Sequence, residues 1–240
     1  MSRIHHLEDL RSGFDATADA VVVGSGAGGA VAATNLAAAG MGTIVLEAGP
    51  QIAPHQMTRE APQFLSRYFW EGGTRMLGGS SQIPAMAGRC LGGSTVVNSA
   101  IMLALPTWVR EIWSREDGLP LFLSPMLDAA YARVFRQTRT APTPMAVMGR
   151  RNLLARDALN AAGIPGRALP RAVEDCRGCA DCLTGCAEGR KQSVDRSYLP
   201  QAIADGAEIY TCAVVDRILT RGNRVTGVSG HIVDPDGRRP

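Results

Sequence analysis

An α/β fold is predicted, on three observations. A short run of β-branched residues, Ala20-Val21-Val22-Val23, leads straight into the glycines of Gly24-Ser25-Gly26-Ala27-Gly28-Gly29. An alanine-rich stretch over 30–39 follows and stops at Gly40. A second apolar run, Thr43-Ile44-Val45-Leu46, then ends in Glu47. Strand, helix and strand within about 30 residues make a βαβ unit, and the right-handed crossover sets its two strands parallel.

The elements follow in order. Residues 1–18 are polar and read as irregular. The alanines over 30–39 are the strongest helix formers, and Gly40 stands where a left-handed cap is needed. Residues 51–90 are rich in Gly, Pro, Gln and Met without periodicity, which predicts loop and short helix. A helix is expected from Trp108, after Pro106, and amphipathic helices over 123–135 and 150–162, the latter stopped by Gly163 and Pro165. A loop is expected over 176–190, a helix over 198–204 and a strand over 208–211. Residues 214–220 and 225–233 read as a hairpin turned at Arg221-Gly222-Asn223. The turn residues Asp234-Pro235-Asp236-Gly237 should feed another strand, so an open hairpin edge near Val233 is expected, and with it the front part of a longer protein.

Composition narrows the function. The 240 residues are 45% hydrophobic and 20% charged, which is globular. Twenty-five basic against 22 acidic residues leave a formal charge of +3, too small and too scattered for a nucleic-acid binder. The clean apolar runs, such as 100–105, fall far short of the roughly 20 residues that span a bilayer. The start carries His, Glu and Asp and does not read as a signal peptide. A soluble, cytoplasmic chain is expected.

Three motifs carry chemistry. The first is Gly24-x-Gly26-x-x-Gly29 with an acid at Glu47. Gly24 allows the strand-to-helix turn, Gly26 lets a pyrophosphate approach the backbone, and Gly29 lets helix and strand pack closely. The helix N-terminus offers free amides to phosphate, and Glu47 is placed to accept from a ribose diol. The bland alternative is a glycine-rich turn with a surface glutamate; the full order of strand, glycines, helix, strand and acid favours a dinucleotide. It does not choose between FAD and NAD. The second motif is Gly88-Arg89-Cys90-Leu91-Gly92-Gly93-Ser94-Thr95-Val96-Val97-Asn98. Its paired glycines give a backbone that can lie flat against a ligand, and Asn98 supplies both a donor and an acceptor.

The third motif is Cys176-x-x-Cys179-x-x-Cys182-x-x-x-Cys186, the spacing of a bacterial iron–sulfur run without its terminal proline. An iron–sulfur cluster, a zinc-stabilised loop and free thiols all remain open for it. Cys90 and Cys212 read as plain core cysteines.

The segment Gly88–Asn98 resembles the second flavin-contacting segment of the glucose–methanol–choline (GMC) family of FAD oxidoreductases. The resemblance runs from about Asp19 to the end and includes Gly189-Arg190-Lys191-Gln192-Ser193, Tyr198-Leu199-Pro200, Gly206-Ala207 and Val215-x-Arg217-Ile218. The cysteine run before Lys191 looks most like the bacterial long-chain alcohol and sterol-type members. The resemblance implies a Rossmann-like FAD-binding βαβ domain over 17–105 and 191–240, with a helical insertion at 106–190 and a β-hairpin. It implies FAD at Gly24, Gly26, Gly29, Glu47, Gly92, Gly93, Ser94 and Asn98, with the Val215 peptide at the adenine. It further implies oxidation of an alcohol by hydride transfer to FAD, and electrons passed to an acceptor. Some FAD dehydrogenases of the family carry a cluster that passes electrons outward to an external acceptor. The family's catalytic base is a histidine in its C-terminal half. None of His5, His6, His55 and His231 matches it, so that half, or a second chain, is the expected partner. Two other readings are a non-catalytic fragment that binds FAD or a partner, and an NAD-dependent dehydrogenase. In the latter, Gly92-Gly93-Ser94-Thr95 and Asn98 would have no role.

Overall fold

The structure, a computed structural model, describes residues 3–238. The elements used below are strand β1 (Ile4–His5), β2 (Ala20–Val23), helix α1 (Ala27–Ala38), β3 (Thr43–Leu46) and α2 (Ala61–Tyr68). They continue with α3 (Thr107–Arg115), α4 (Pro125–Gln137), β4 (Thr140–Pro142), α5 (Gly149–Ala161) and β5 (Pro170–Ala172). The last are α6 (Leu199–Ala204), β6 (Glu208–Tyr210), β7 (Ala213–Arg221) and β8 (Arg224–Ile232).

Two compact units form. One comprises Met1–Ser99, Asp181–Gly189 and Ser193–Pro240; the other comprises Ala100–Ala180 and Arg190–Gln192. The sequence reading places the insertion at 106–190, whereas here Asp181–Gly189 folds with the first unit. The second unit holds α3, α4 and α5, with β4 and β5 paired antiparallel.

The first unit is built on a parallel sheet in the order β1-β6-β3-β2. The βαβ unit is present, and Val22 pairs with Val45 in register. β3 is buried along its whole length, as a continuous apolar run requires when both faces are covered. Helix α1 begins at Ala27, three residues before the expected start, and so takes in Gly28 and Gly29. Glycine is a poor helix former, but here close packing on the strand outweighs propensity. At the other end Gly40 is left-handed (φ +80°), and the Met41 amide reaches back to the Leu36 carbonyl at 3.2 Å.

Ala30, Ala33 and Ala37 turn one face of α1 to Leu199 and Ala202 of α6 and to Val45 and Ile209 of the sheet. Small side chains let the two helices approach closely. Leu199 is 1% exposed, and burying such a side chain stabilises by about 1.5–3 kcal/mol.

The chain's start departs from the irregular reading. Ile4 and His5 form the outer strand of the sheet, paired parallel with Ile209 and Tyr210. His5 and Phe14 each stack on the Tyr210 ring at 4.3 Å, and His5 Nε2 lies 3.1 Å from the Glu208 carboxylate. A two-residue strand carries no periodicity, so only this long-range pairing reveals it. The hairpin of β7 and β8 forms a separate two-stranded sheet. The outer edge of β8 has no partner strand among the described residues, as expected, while Val233 at its end is buried and its amide donates to the Cys212 carbonyl at 2.9 Å. Among the described residues no helix is long and apolar enough to cross a membrane.

Candidate functional site

The site forms at the C-terminal ends of β2 and β3, where a parallel sheet presents its ligand crevice. Gly24 turns the chain in a left-handed conformation (φ +87°) that a side chain would oppose, and its amide is held by the Leu46 carbonyl at 2.8 Å. Gly26 then caps α1 with no side-chain hydrogen bond at the helix start. A Cβ built on Gly24, Gly26 or Gly28 meets nothing within 4 Å. The opposite holds at Gly29, whose Cβ would be driven into the Gly24 carbonyl. The four glycines thus divide by role: Gly29 is required by packing, while the others border open space at the N-terminus of a 12-residue helix.

Glu47 is buried and accepts three hydrogen bonds from its neighbours. Its Oε2 accepts from the Ser25 amide at 2.9 Å and from Ser25 Oγ at 2.6 Å, and its Oε1 accepts from the Gly49 amide at 2.8 Å. Two carboxylate oxygens offer about four acceptor sites, so the three bonds leave room for one more donor. Burial pushes the Glu47 carboxyl up from its ordinary value. The Ser25 hydroxyl, the Ser25 and Gly49 amides and the Arg89 charge oppose that rise.

A proton therefore binds Glu47 more readily in the folded chain than in the unfolded one. The stability this group contributes is full below its ordinary value of 4.5 and is lost as pH rises through the raised folded value. Thermal unfolding from pH 4.5 to neutral should show the wild type losing stability relative to Glu47→Gln across that interval. Parallel curves would contradict the burial effect.

The second glycine segment is locked to the first through Ser25. This side chain is completely buried; its hydroxyl donates to Glu47 and accepts from the Gly92 amide at 2.9 Å. Gly92 is left-handed (φ +92°), and the Gly93 backbone comes so close to Gly26 that a Cβ on Gly93 would lie 2.9 Å from the Gly26 Cα. Ser94 Oγ accepts from the Gly88 amide at 3.0 Å. Thr95 Oγ1 donates to the Gly92 carbonyl at 2.6 Å and accepts from the Val194 amide at 3.1 Å. Asn98 is exposed at the end of the segment. Gly24, Gly26, Glu47, Gly92, Gly93 and Ser94 are therefore brought into one neighbourhood. Val215 joins through β7: the Ala213 amide donates to the Glu47 carbonyl at 2.8 Å, and Val215 itself packs against the core that holds Leu46 and Tyr210.

Sequence reasoning missed Ser25 and Thr95. Ser25 is the second residue of the glycine motif, a position the motif leaves free. Its partner Gly92 lies 67 residues on, beyond the reach of any local pattern.

Cys176, Cys179, Cys182 and Cys186 lie in the irregular segment after β5. Among the described residues no group of three or more His, Cys, Asp or Glu is arranged to hold a metal ion. Gly178 and Ala180 are left-handed (φ +75° and +66°). Cys176 Sγ accepts from the Gly178 amide at 3.4 Å. None of the six cysteines is in a disulfide; Cys179 is exposed, and Cys90 and Cys212 are buried. Burial pushes the Cys212 thiol up to about 11, and the thiolate is the reactive form. Iodoacetamide at about pH 8 should therefore modify Cys179 readily and spare Cys212 in the folded chain. Equal alkylation of the two by peptide mass spectrometry would contradict this.

A parallel sheet with a glycine-lined helix N-terminus and a buried acid at the end of the next strand is the arrangement of a Rossmann-like dinucleotide-binding domain. The match to the family described as GMC oxidoreductase extends over residues 18–238, and the chain belongs to that family. It is 39% identical over 222 residues to an uncharacterized GMC-type oxidoreductase of Mycobacterium tuberculosis, covering 92% of this chain and 35% of the relative. It is 31% identical to a long-chain-alcohol oxidase of Arabidopsis thaliana, over 89% of this chain and 28% of that one. Among solved structures, pyridoxine 4-oxidase from Mesorbium loti shares the fold with a TM-score of 0.60 at 16% identity, over 90% of this chain and 48% of the other. The chain spans about a third of the length of the curated relatives it matches.

Proposed function

We propose that this chain is the FAD-binding front portion of a flavoenzyme that oxidises an alcohol. The observation that carries this reading is the open space over Gly26 and Gly28, set against the left-handed turn that requires Gly24 and the close packing that requires Gly29. A glycine kept where a side chain would fit without a clash has no folding reason to be there, and a ligand that approaches the backbone supplies one.

The amides of the first turn of α1 would hold the pyrophosphate, with the helix dipole favouring its negative charge. Glu47 would accept a ribose hydroxyl at its remaining acceptor site, its carboxylate kept in place by Ser25 and Gly49. Gly92, Gly93, Ser94 and Asn98 would line the flavin side, and the Val215 peptide the adenine. When bound, FAD supplies the acceptor for the hydride that leaves the alcohol carbon. The proton of the alcohol hydroxyl needs a base outside these elements, because His5 faces Glu208 and His231 faces Asp216 at 2.7 Å. The alcohol substrate class rests on the long-chain-alcohol oxidases among the relatives. Electrons leave to an external acceptor, and FAD alone carries this reading.

The test is anaerobic mixing of the full-length flavoprotein with a long-chain primary alcohol. Bleaching of the oxidised-flavin absorbance is expected; a flavin that stays oxidised with every alcohol would contradict the assignment.

A further inference from the structure

Ser25 joins the two glycine segments through a single hydroxyl, and the polarity of that junction is fixed. The Gly92 amide can only donate, so it occupies a lone pair of Ser25 Oγ at 2.9 Å. The hydroxyl hydrogen is thereby left for Glu47 Oε2, at 2.6 Å. The Ser25 amide donates to the same oxygen at 2.9 Å, so one residue holds Oε2 with two donors. Gly49 supplies one donor to Oε1. The remaining acceptor position of the carboxylate is therefore on Oε1.

The chain of bonds continues past Gly92, whose carbonyl accepts from Thr95 Oγ1 at 2.6 Å. The left-handed Gly92 is thus held by a hydroxyl at each of its two peptide groups. Ser25 is completely buried, away from competing water. It also acts on the charge of Glu47. Burial raises this carboxyl, and the Ser25 hydroxyl is the largest of the effects that oppose the rise. Of the other groups near Glu47, Arg89 also favours the carboxylate, and the Cys212 thiol, pushed up to about 11, is neutral wherever a carboxyl titrates.

Resting on the FAD reading above, we propose that Ser25 is a positioning residue for the cofactor, one that presents Glu47 Oε1 as an ionised acceptor to the adenosine ribose and fixes the Gly92 peptide on the flavin side. A ribose hydroxyl bonds more strongly to a carboxylate than to a neutral acid, so FAD binds less tightly as pH falls through the Glu47 titration. Without the Ser25 hydroxyl the carboxyl rises further, and that weakening sets in at higher pH.

The experiment titrates the full-length protein, freed of flavin, with FAD over about pH 5 to 8, following the quenching of flavin fluorescence. Wild type, Ser25→Ala, Glu47→Gln and the double variant are compared. Ser25→Ala should weaken FAD at least about tenfold at neutral pH and move the midpoint of the pH profile upward. In the Glu47→Gln background there is no carboxylate to position, so the same change should cost no more than about threefold and the pH profile should be flat. Should Ser25→Ala not fold, Ser25→Cys keeps a weak donor in place and should move the midpoint in the same direction. A purely structural Ser25 would weaken FAD by one factor in both backgrounds and leave the midpoint unmoved; that result overturns the proposal and leaves the FAD site standing. Glu47→Gln with the wild-type affinity and pH profile would instead remove Glu47 from the FAD site, and the proposal with it.

Discussion

Gly29→Ala is expected to unfold the first unit or to strip most of its stability. The added Cβ would be driven into the Gly24 carbonyl oxygen, and would lie 3.0 Å from the Gly24 carbonyl carbon and 3.3 Å from Val22 Cγ1. Neither backbone can retreat. Gly24 is tied to Leu46 through its amide, and α1 is pinned from behind by the alanine face against α6. Overpacking in a well-packed interior costs about 1–3 kcal/mol, and more where backbone is the obstacle. Domains of this size hold only about 5–15 kcal/mol in total. Far-UV circular dichroism through a thermal ramp should show a large fall in melting temperature. A melt that superimposes on the wild type would mean that helix and strand do not approach as described.

Gly26→Val is expected to do the reverse, losing flavin while the fold survives. Gly26 sits in an ordinary extended conformation (φ −66°), and its Cβ meets no atom of the chain. The side chain would instead occupy the space over the first turn of α1, which the pyrophosphate needs. We expect FAD affinity to fall by on the order of a hundredfold or more, equivalent to about 3 kcal/mol. The thermal melt of the ligand-free variant should stay close to the wild type. Together the two glycines, three positions apart in one motif, separate folding from binding. Flavin bound at wild-type stoichiometry by Gly26→Val would remove the reason for placing a phosphate there.

What could be read from sequence divides by distance along the chain. The βαβ unit was legible because its signals are local: apolar runs, an alanine face and a glycine stop within one short stretch. The hairpin of β7 and β8 was legible for the same reason, around Gly222 and Asn223. β1 was not, since two residues make no pattern and their partners Ile209 and Tyr210 lie some two hundred positions away. The site shows the same division. Gly24, Gly26, Gly29 and Glu47 stand out as a motif, whereas the Ser25 bridge that joins them to Gly92 depends on tertiary folding. The cysteine spacing was legible, but spacing does not fix where sulfurs point.

The most direct test is a crystal structure of the purified chain grown with FAD. The pyrophosphate should lie against the amides at the N-terminus of α1, with the adenosine ribose within hydrogen-bond reach of Glu47 and the ring system toward Gly92–Asn98. Flavin density elsewhere on the chain, or a ribose turned away from Glu47, would contradict a dinucleotide site built from these two glycine segments.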